Sequence, residues 1–134
     1  MIRLLILFGL LLLFLLILDG LWLGLIAKNF MREKIGYLFA DKPNWVAAAV
    51  FYLMYTFGIL YFALQPALLA GQWQEALLKG ALFGLIAYGT YDLTNLAVVK
   101  NWPVVVTVVD MCWGMVMTAI VTVIVFAISG KIYS

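Results

Sequence analysis

Four long runs of apolar side chains constrain this sequence more than any other feature. They cover roughly residues 4–27, 45–65, 76–99 and 103–128. At 1.5 Å per residue, about 20 residues cross the ~30 Å hydrocarbon layer of a bilayer as an α-helix. In lipid every backbone group must be satisfied inside its own segment, so helices are the economical choice. Hiding the runs in a soluble globule fails on quantity. Of the 134 residues, 68% are hydrophobic and 10% charged, whereas a soluble domain is about half apolar and a quarter charged. The expectation is an all-α four-transmembrane-helix bundle, with residues 1–134 as one integral membrane domain.

The first run imitates a signal peptide, with Arg3 ahead of Leu4 to Leu18. It continues past Asp19 to Ala27, too long for an ordinary secretory core, and Leu25 is bulky where a cleavage site needs a small residue. It reads as an uncleaved first span. Pro66 closes the second run, and Pro103 opens the fourth at the first helical position.

The connection from Lys28 to Asn44 is the longest. Phe30, Met31, Ile35, Leu38 and Phe39 fall near helical spacing, with Arg32, Glu33 and Lys34 between them. That pattern predicts a short interfacial helix between spans one and two, although Gly36 weakens it. Asp41-Lys42-Pro43-Asn44 reads as a turn. The second connection, Ala67 to Glu75, carries no Lys or Arg, and the third is the tight turn Lys100-Asn101-Trp102. Connections one and three hold Lys28, Arg32, Lys34, Lys42 and Lys100; the opposite side holds Arg3, Lys79 and Lys131. The bias places connections one and three in the cytoplasm. Trp45, Trp73 and Trp102 stand at span ends, where interfacial anchors belong. The similar turns Lys42-Pro43-Asn44-Trp45 and Lys100-Asn101-Trp102-Pro103 form a weak repeat, but turn residues and anchors recur at span ends by chance, which disfavours a duplicated hairpin.

Some chemistry is excluded. The net charge of +2 is small and the basic residues are scattered, so there is no nucleic-acid footprint. The absence of histidine disfavours histidine-ligated haem and zinc and any histidine-based catalytic pair. Cys112 is the only cysteine and cannot form an intrachain disulfide.

What remains is a set of intramembrane acids. Asp19 lies nine residues before Lys28, Asp92 eight before Lys100, and Asp110 seven after Pro103. Each is therefore about 10–14 Å below the face of connections one and three. Asp19 is followed by Trp22, Asp92 by Asn95 and Asp110 by Trp113, each pair on one helix face. Trp and Asn can both donate to a carboxylate. Asn44 at the mouth of span two, with Tyr52 and Tyr55 deeper, extends the candidate lining. An Asp at a span centre costs about 2.5–3.5 kcal/mol on insertion scales, and no Lys or Arg occupies a span interior near these three. Single membrane acids often serve as interhelical glue at about 0.6 kcal/mol per hydrogen bond. Three at one depth favour a ligand, cation or proton site. Gly20/Gly24 and Gly80/Gly84 have the spacing of close-packing signals.

At Asp19-Gly20-Leu21-Trp22, Asp41-Lys42-Pro43-Asn44-Trp45, Tyr91-Asp92-Leu93-Thr94-Asn95 and Asp110 with Trp113, the chain resembles the small bacterial four-span membrane proteins of domain-of-unknown-function family twenty-one seventy-seven. The resemblance covers almost the whole chain. It implies a bacterial inner-membrane protein and carries no activity with it. Tyr91-Asp92 is also similar to one half of the intramembrane aspartyl protease pattern, but Val108-Val109-Asp110 lacks the glycines of the other half.

The leading expectation is a carboxylate-lined pocket that binds or translocates a proton, a cation or a small amine or lipid-like ligand. Its candidate residues are Asp19, Trp22, Asn44, Asp92, Asn95, Asp110 and Trp113. The alternatives are an accessory subunit of a larger membrane complex and a membrane-embedded lipid-modifying enzyme. The expected partner is the bilayer, with a homo-oligomer or larger complex left open.

Overall fold

The computed structural model of the chain describes residues 1–133 and is all-helical over them. Helix α1, Ile2–Leu21, continues through a π-helical turn, Trp22–Ile26. The short α2, Lys28–Ile35, follows and ends in a 3₁₀ turn, Gly36–Leu38. Helix α3, Trp45–Ile59, passes through a second π-helical turn, Leu60–Leu64, into α4, Gln65–Ala70. Two long helices complete the chain: α5, Trp73–Val98, and α6, Val104–Tyr133.

Three stretches among the described residues are long and apolar enough to cross a membrane: Ile2–Ile26, Trp45–Ala70 and Val104–Tyr133. Helix α5 matches them in length, with 26 residues. Glu75, Lys79, Asp92, Thr94 and Asn95 make it more polar. The second run does not end at Pro66. The π turn has the Gln65 N–H bonded to the Leu60 carbonyl, five residues back, and Pro66 enters the first turn of the next helical segment, where its missing N–H costs least. The helical path therefore reaches Ala70, where Gly71 at φ 69° takes the left-handed conformation that ends it. Asn101, at φ 62°, makes the corresponding reversal between α5 and α6; Asn tolerates that region better than most side chains.

The inward faces follow four-residue rows. In α1 the buried residues are Leu7, Leu11, Leu15 and Asp19. In α5 the row Ala76, Gly80, Gly84 and Asp92 is buried, with Tyr88 filling the gap between the last two. Residues four apart stack along one helix edge, so each acid is the polar end of an apolar or small-residue row. Both rows run toward the same end of the molecule.

Helices α5 and α6 form the closest pair, because glycines let their backbones touch. A methyl group on Gly84 would overlap the carbonyl oxygen of Gly114, and one on Gly80 would stand 2.7 Å from Thr122 Oγ1 and 3.0 Å from Ala119 Cα. The ring of Tyr88 occupies the space where a side chain on Gly114 would stand. The other expected glycine pair plays no such part: Gly20 and Gly24 have open space where a side chain would stand. The main core lies between these helices and α1 and α3, around Leu7, Leu11, Leu15, Ile59, Leu64, Met117, Val121 and Val125.

Cross-links fix which ends meet. The Arg3 guanidinium sits 4.7 Å from the centre of the Tyr133 ring, joining the start of α1 to the end of α6. At the other end the Tyr37 hydroxyl donates to the Asn101 carbonyl at 2.9 Å, joining the first connection to the third. Helix α2 lays Met31 and Ile35 against Ala27, Trp102 and Val106 and turns Arg32, Glu33 and Lys34 outward. Leu38 and Phe39, expected on its apolar face, are exposed because Gly36 ends the helix ahead of them.

Trp102 is 8% exposed while Trp45 is 73% exposed, so the two similar turns do different jobs. Trp45 and Trp73 are exposed. Trp102 is instead folded inward, where its indole N–H donates to Thr107 Oγ1 at 3.1 Å.

Candidate functional site

The residues before connections one and three enclose a partly open cavity of about 450 Å³. Helix α1 brings Asp19 and Trp22, and α3 brings Phe51, Tyr52 and Tyr55. Ala87, Tyr88, Tyr91 and Asp92 come from α5, and Val106 and Asp110 from α6. Met31, Ile35, Phe39 and Trp102 form the roof. All three acids predicted to share a layer do line one space. The helix rise explains why: the rows in α1 and α5 reach similar depths when counted from the same end.

The acids divide into two environments. Asp19 is buried, and each of its oxygens has a donor. Its Oδ2 accepts from the Tyr52 hydroxyl on α3, and its Oδ1 accepts from Trp113 Nε1 on α6 at 3.3 Å. Trp113 in turn stacks on Trp22, with ring centres 4.5 Å apart and planes 6° from parallel. Asp19 therefore ties three helices together, and the indole pair closes the joint. Behind it, the Tyr55 hydroxyl shares a 2.7 Å hydrogen bond with Thr118 Oγ1, pinning α3 to α6.

Asp92 is different. It is fully buried, and no N–H or O–H donor reaches either carboxylate oxygen among the described residues. Its polar neighbour is the half-buried Asp110, whose carboxyl lies within hydrogen-bonding reach. Two ionised carboxylates cannot hydrogen-bond to each other, so the pair needs a shared proton or a cation. No Lys or Arg lines the cavity. Trp22 Nε1, from the end of α1, is a buried donor without an acceptor. The cavity thus presents two unanswered polar features, a carboxyl pair and an indole N–H, among tyrosine and phenylalanine rings. No three His, Cys, Asp or Glu side chains among the described residues converge closely enough to hold a metal ion.

This architecture can be set beside known proteins. Residues 4–127 match the family described as "Predicted membrane protein (DUF2177)". The chain belongs to that family. The match spans nearly the whole sequence and agrees with the apolar helices in making this a membrane protein. No curated protein and no solved structure matches the chain.

In this DUF2177 protein, four of the seven candidate residues line the cavity: Asp19, Trp22, Asp92 and Asp110. Trp113 stands just behind the wall and acts through Asp19 and Trp22. Asn44 does not reach the cavity. It caps α3, its side-chain oxygen accepting from the Ala47 N–H at 3.1 Å. Asn95, expected to serve Asp92, is half-buried outside the lining. Each indole was expected to serve the acid three residues before it, and neither does. Trp22 stacks, and Trp113 crosses from α6 to Asp19 instead of turning to Asp110. Sequence reasoning missed the roof. The inward positions of Met31 and Ile35 are legible as an amphipathic face, but nothing local shows that this face covers the acids.

Proposed function

We propose that the chain is a single integral domain of four spans, with α5 as the fourth, and that its cavity binds a small cationic ligand or a proton at Asp92 and Asp110. Helix α5 packs on α6 through backbone contact and is as long as its neighbours, which supports a place beside them in the bilayer. Its polar side chains serve the cavity and the ends. Helix α2, apolar on one face and basic on the other, then lies in the interface above the cavity. The basic connections one and three face the cytoplasm of a bacterial inner membrane.

The observation that carries this reading is Asp92: completely buried, without a donor on either oxygen, and beside a second carboxyl. Leaving one buried polar atom unsatisfied costs about 1–3 kcal/mol, and more for a charged group. A proton shared with Asp110 or a bound cation removes that cost. An ammonium group suits the site well. The carboxyl pair supplies charge, the surrounding tyrosine and tryptophan rings supply cation–π attraction, and Trp22 Nε1 can donate to an oxygen elsewhere on the ligand. About 450 Å³ accommodates a small organic molecule. Asp19 has the contacts of an interhelical tie. With a donor from α3 on one oxygen and from α6 on the other, it joins the helices as well as lining the cavity.

Titration of the purified protein with propylammonium, read by tryptophan fluorescence, tests the proposal. Binding is expected in the native chain and lost in Asp92→Asn, which keeps volume and hydrogen bonding but not charge. Thermal stability of Asp92→Asn in detergent should be unchanged. A silent Asp92→Asn together with a destabilised Asp92→Leu would make Asp92 a structural residue and end the reading.

A further inference from the structure

A second cleft lies beside the first. It has a volume of about 310 Å³ and lies between the π-helical end of α1 and the outer side of α2. Leu23 and Gly24 come from α1, and Lys28, Met31 and Arg32 from α2; Phe39 closes the far side. We propose that this cleft binds the phosphate of an anionic membrane lipid, with Lys28 and Arg32 as its ligands.

Lys28 and Arg32 are one helical turn apart, so both reach the same space. Neither is engaged by a carboxylate; the ion pair found among the described residues is Lys79 with Glu75, at 3.5 Å, far along the sequence. An arginine fork with a neighbouring ammonium is the usual protein arrangement for a phosphate. Gly24 has nothing within 4 Å of the position its side chain would take, which keeps the floor open. The remaining lining, Leu23, Met31 and Phe39, is apolar. That half of the cleft suits the glycerol and first methylenes of a lipid and offers nothing to a free inorganic anion. The position agrees, because the apolar run of α1 ends at Ala27, immediately before Lys28. Five of the eight Lys and Arg residues also belong to this end, the end that faces an anionic leaflet if it is cytoplasmic. Lys28 and Arg32 are separate from the carboxyl pair.

The test uses the full chain, delipidated in neutral detergent and titrated with phosphatidylglycerol or phosphatidylcholine, with bound lipid counted by native mass spectrometry. Phosphatidylglycerol should bind in preference. One basic residue near an anionic lipid is worth about fivefold, so Lys28→Gln/Arg32→Gln should weaken binding roughly 30-fold. The charge-conserving Lys28→Arg should retain it. Lys34→Gln/Lys42→Gln removes the same charge outside the cleft and should have a much smaller effect. Equal losses in the two double variants would reduce the site to diffuse surface attraction and overturn the proposal, as would equal affinity for the two lipids. Inorganic phosphate held by Lys28 and Arg32, with phosphatidylglycerol unable to displace it, would assign the cleft to a free anion and overturn the lipid source.

Discussion

Gly84→Ala asks whether the α5–α6 seam is as tight as the structure shows. The added methyl would overlap the Gly114 carbonyl oxygen and lie 2.7 Å from both its carbon and Thr118 Oγ1. Favourable contacts begin near 3.5 Å, so the helices must part by roughly 1 Å. The obstacle is mainly backbone, which cannot rotate aside. Overpacking of this kind costs about 1–3 kcal/mol, offset by up to about 1 kcal/mol of helix propensity gained by alanine. Gly20→Ala supplies the reference, because it makes the same chemical change with nothing within 4 Å. Thermal unfolding of both variants in one detergent should therefore separate them by about 1–3 kcal/mol, with Gly84→Ala the weaker. The seam also holds the site: Asp92 lies two turns beyond Gly84, and Asp110 one turn before Gly114. Gly84→Ala should then weaken propylammonium binding as well. Equal stability of the two variants would refute the backbone contact and the packing argument built on it.

Three other outcomes are expected. Tyr52→Phe and Trp113→Phe each remove one donor from Asp19 and should lower stability by about 1–3 kcal/mol, measured by the same unfolding assay. Asn44→Ala removes the cap of α3 and should cost about 1 kcal/mol while leaving propylammonium binding intact; loss of binding would return Asn44 to the site. With Cys112 replaced by alanine, cysteines at Lys34 and Gln72 should react with impermeant reagents from opposite sides of the membrane, and same-sided labelling would rule out the four-span arrangement.

Much of the site could be read before any coordinates. Helices have a fixed rise, so depth follows from counting, and the common layer of Asp19, Asp92 and Asp110 came from that count alone. The glycine spacing Gly80/Gly84 was also visible, but not the rows that end in Asp19 and Asp92. Azimuth was harder. In a run that is apolar on every side, periodicity does not mark the buried face, and pairing by sequence proximity misassigned the donors. Helical spacing puts Trp113 on the face of Asp110, but its indole N–H reaches across to Asp19. Asn95 was matched to Asp92, which has no donor. Cross-helix contacts decide such choices, and they depend on rotations that the backbone seam at Gly84 and Gly114 sets. The same limit explains Trp102, which has the sequence position of an anchor and the surroundings of a wall residue.

Asp92 and Asp110 are proposed to form a carboxyl pair that shares a proton or a cation within the cavity. A hydrophobic carbodiimide tests it directly, since such reagents modify protonated carboxyls in apolar surroundings. Peptide mass spectrometry after treatment should find the adduct on Asp92 or Asp110, with propylammonium protecting against it and Asp92→Asn/Asp110→Asn abolishing it. An adduct confined to Asp19, or labelling of Asp92 and Asp110 that propylammonium leaves unchanged, would contradict that proposal.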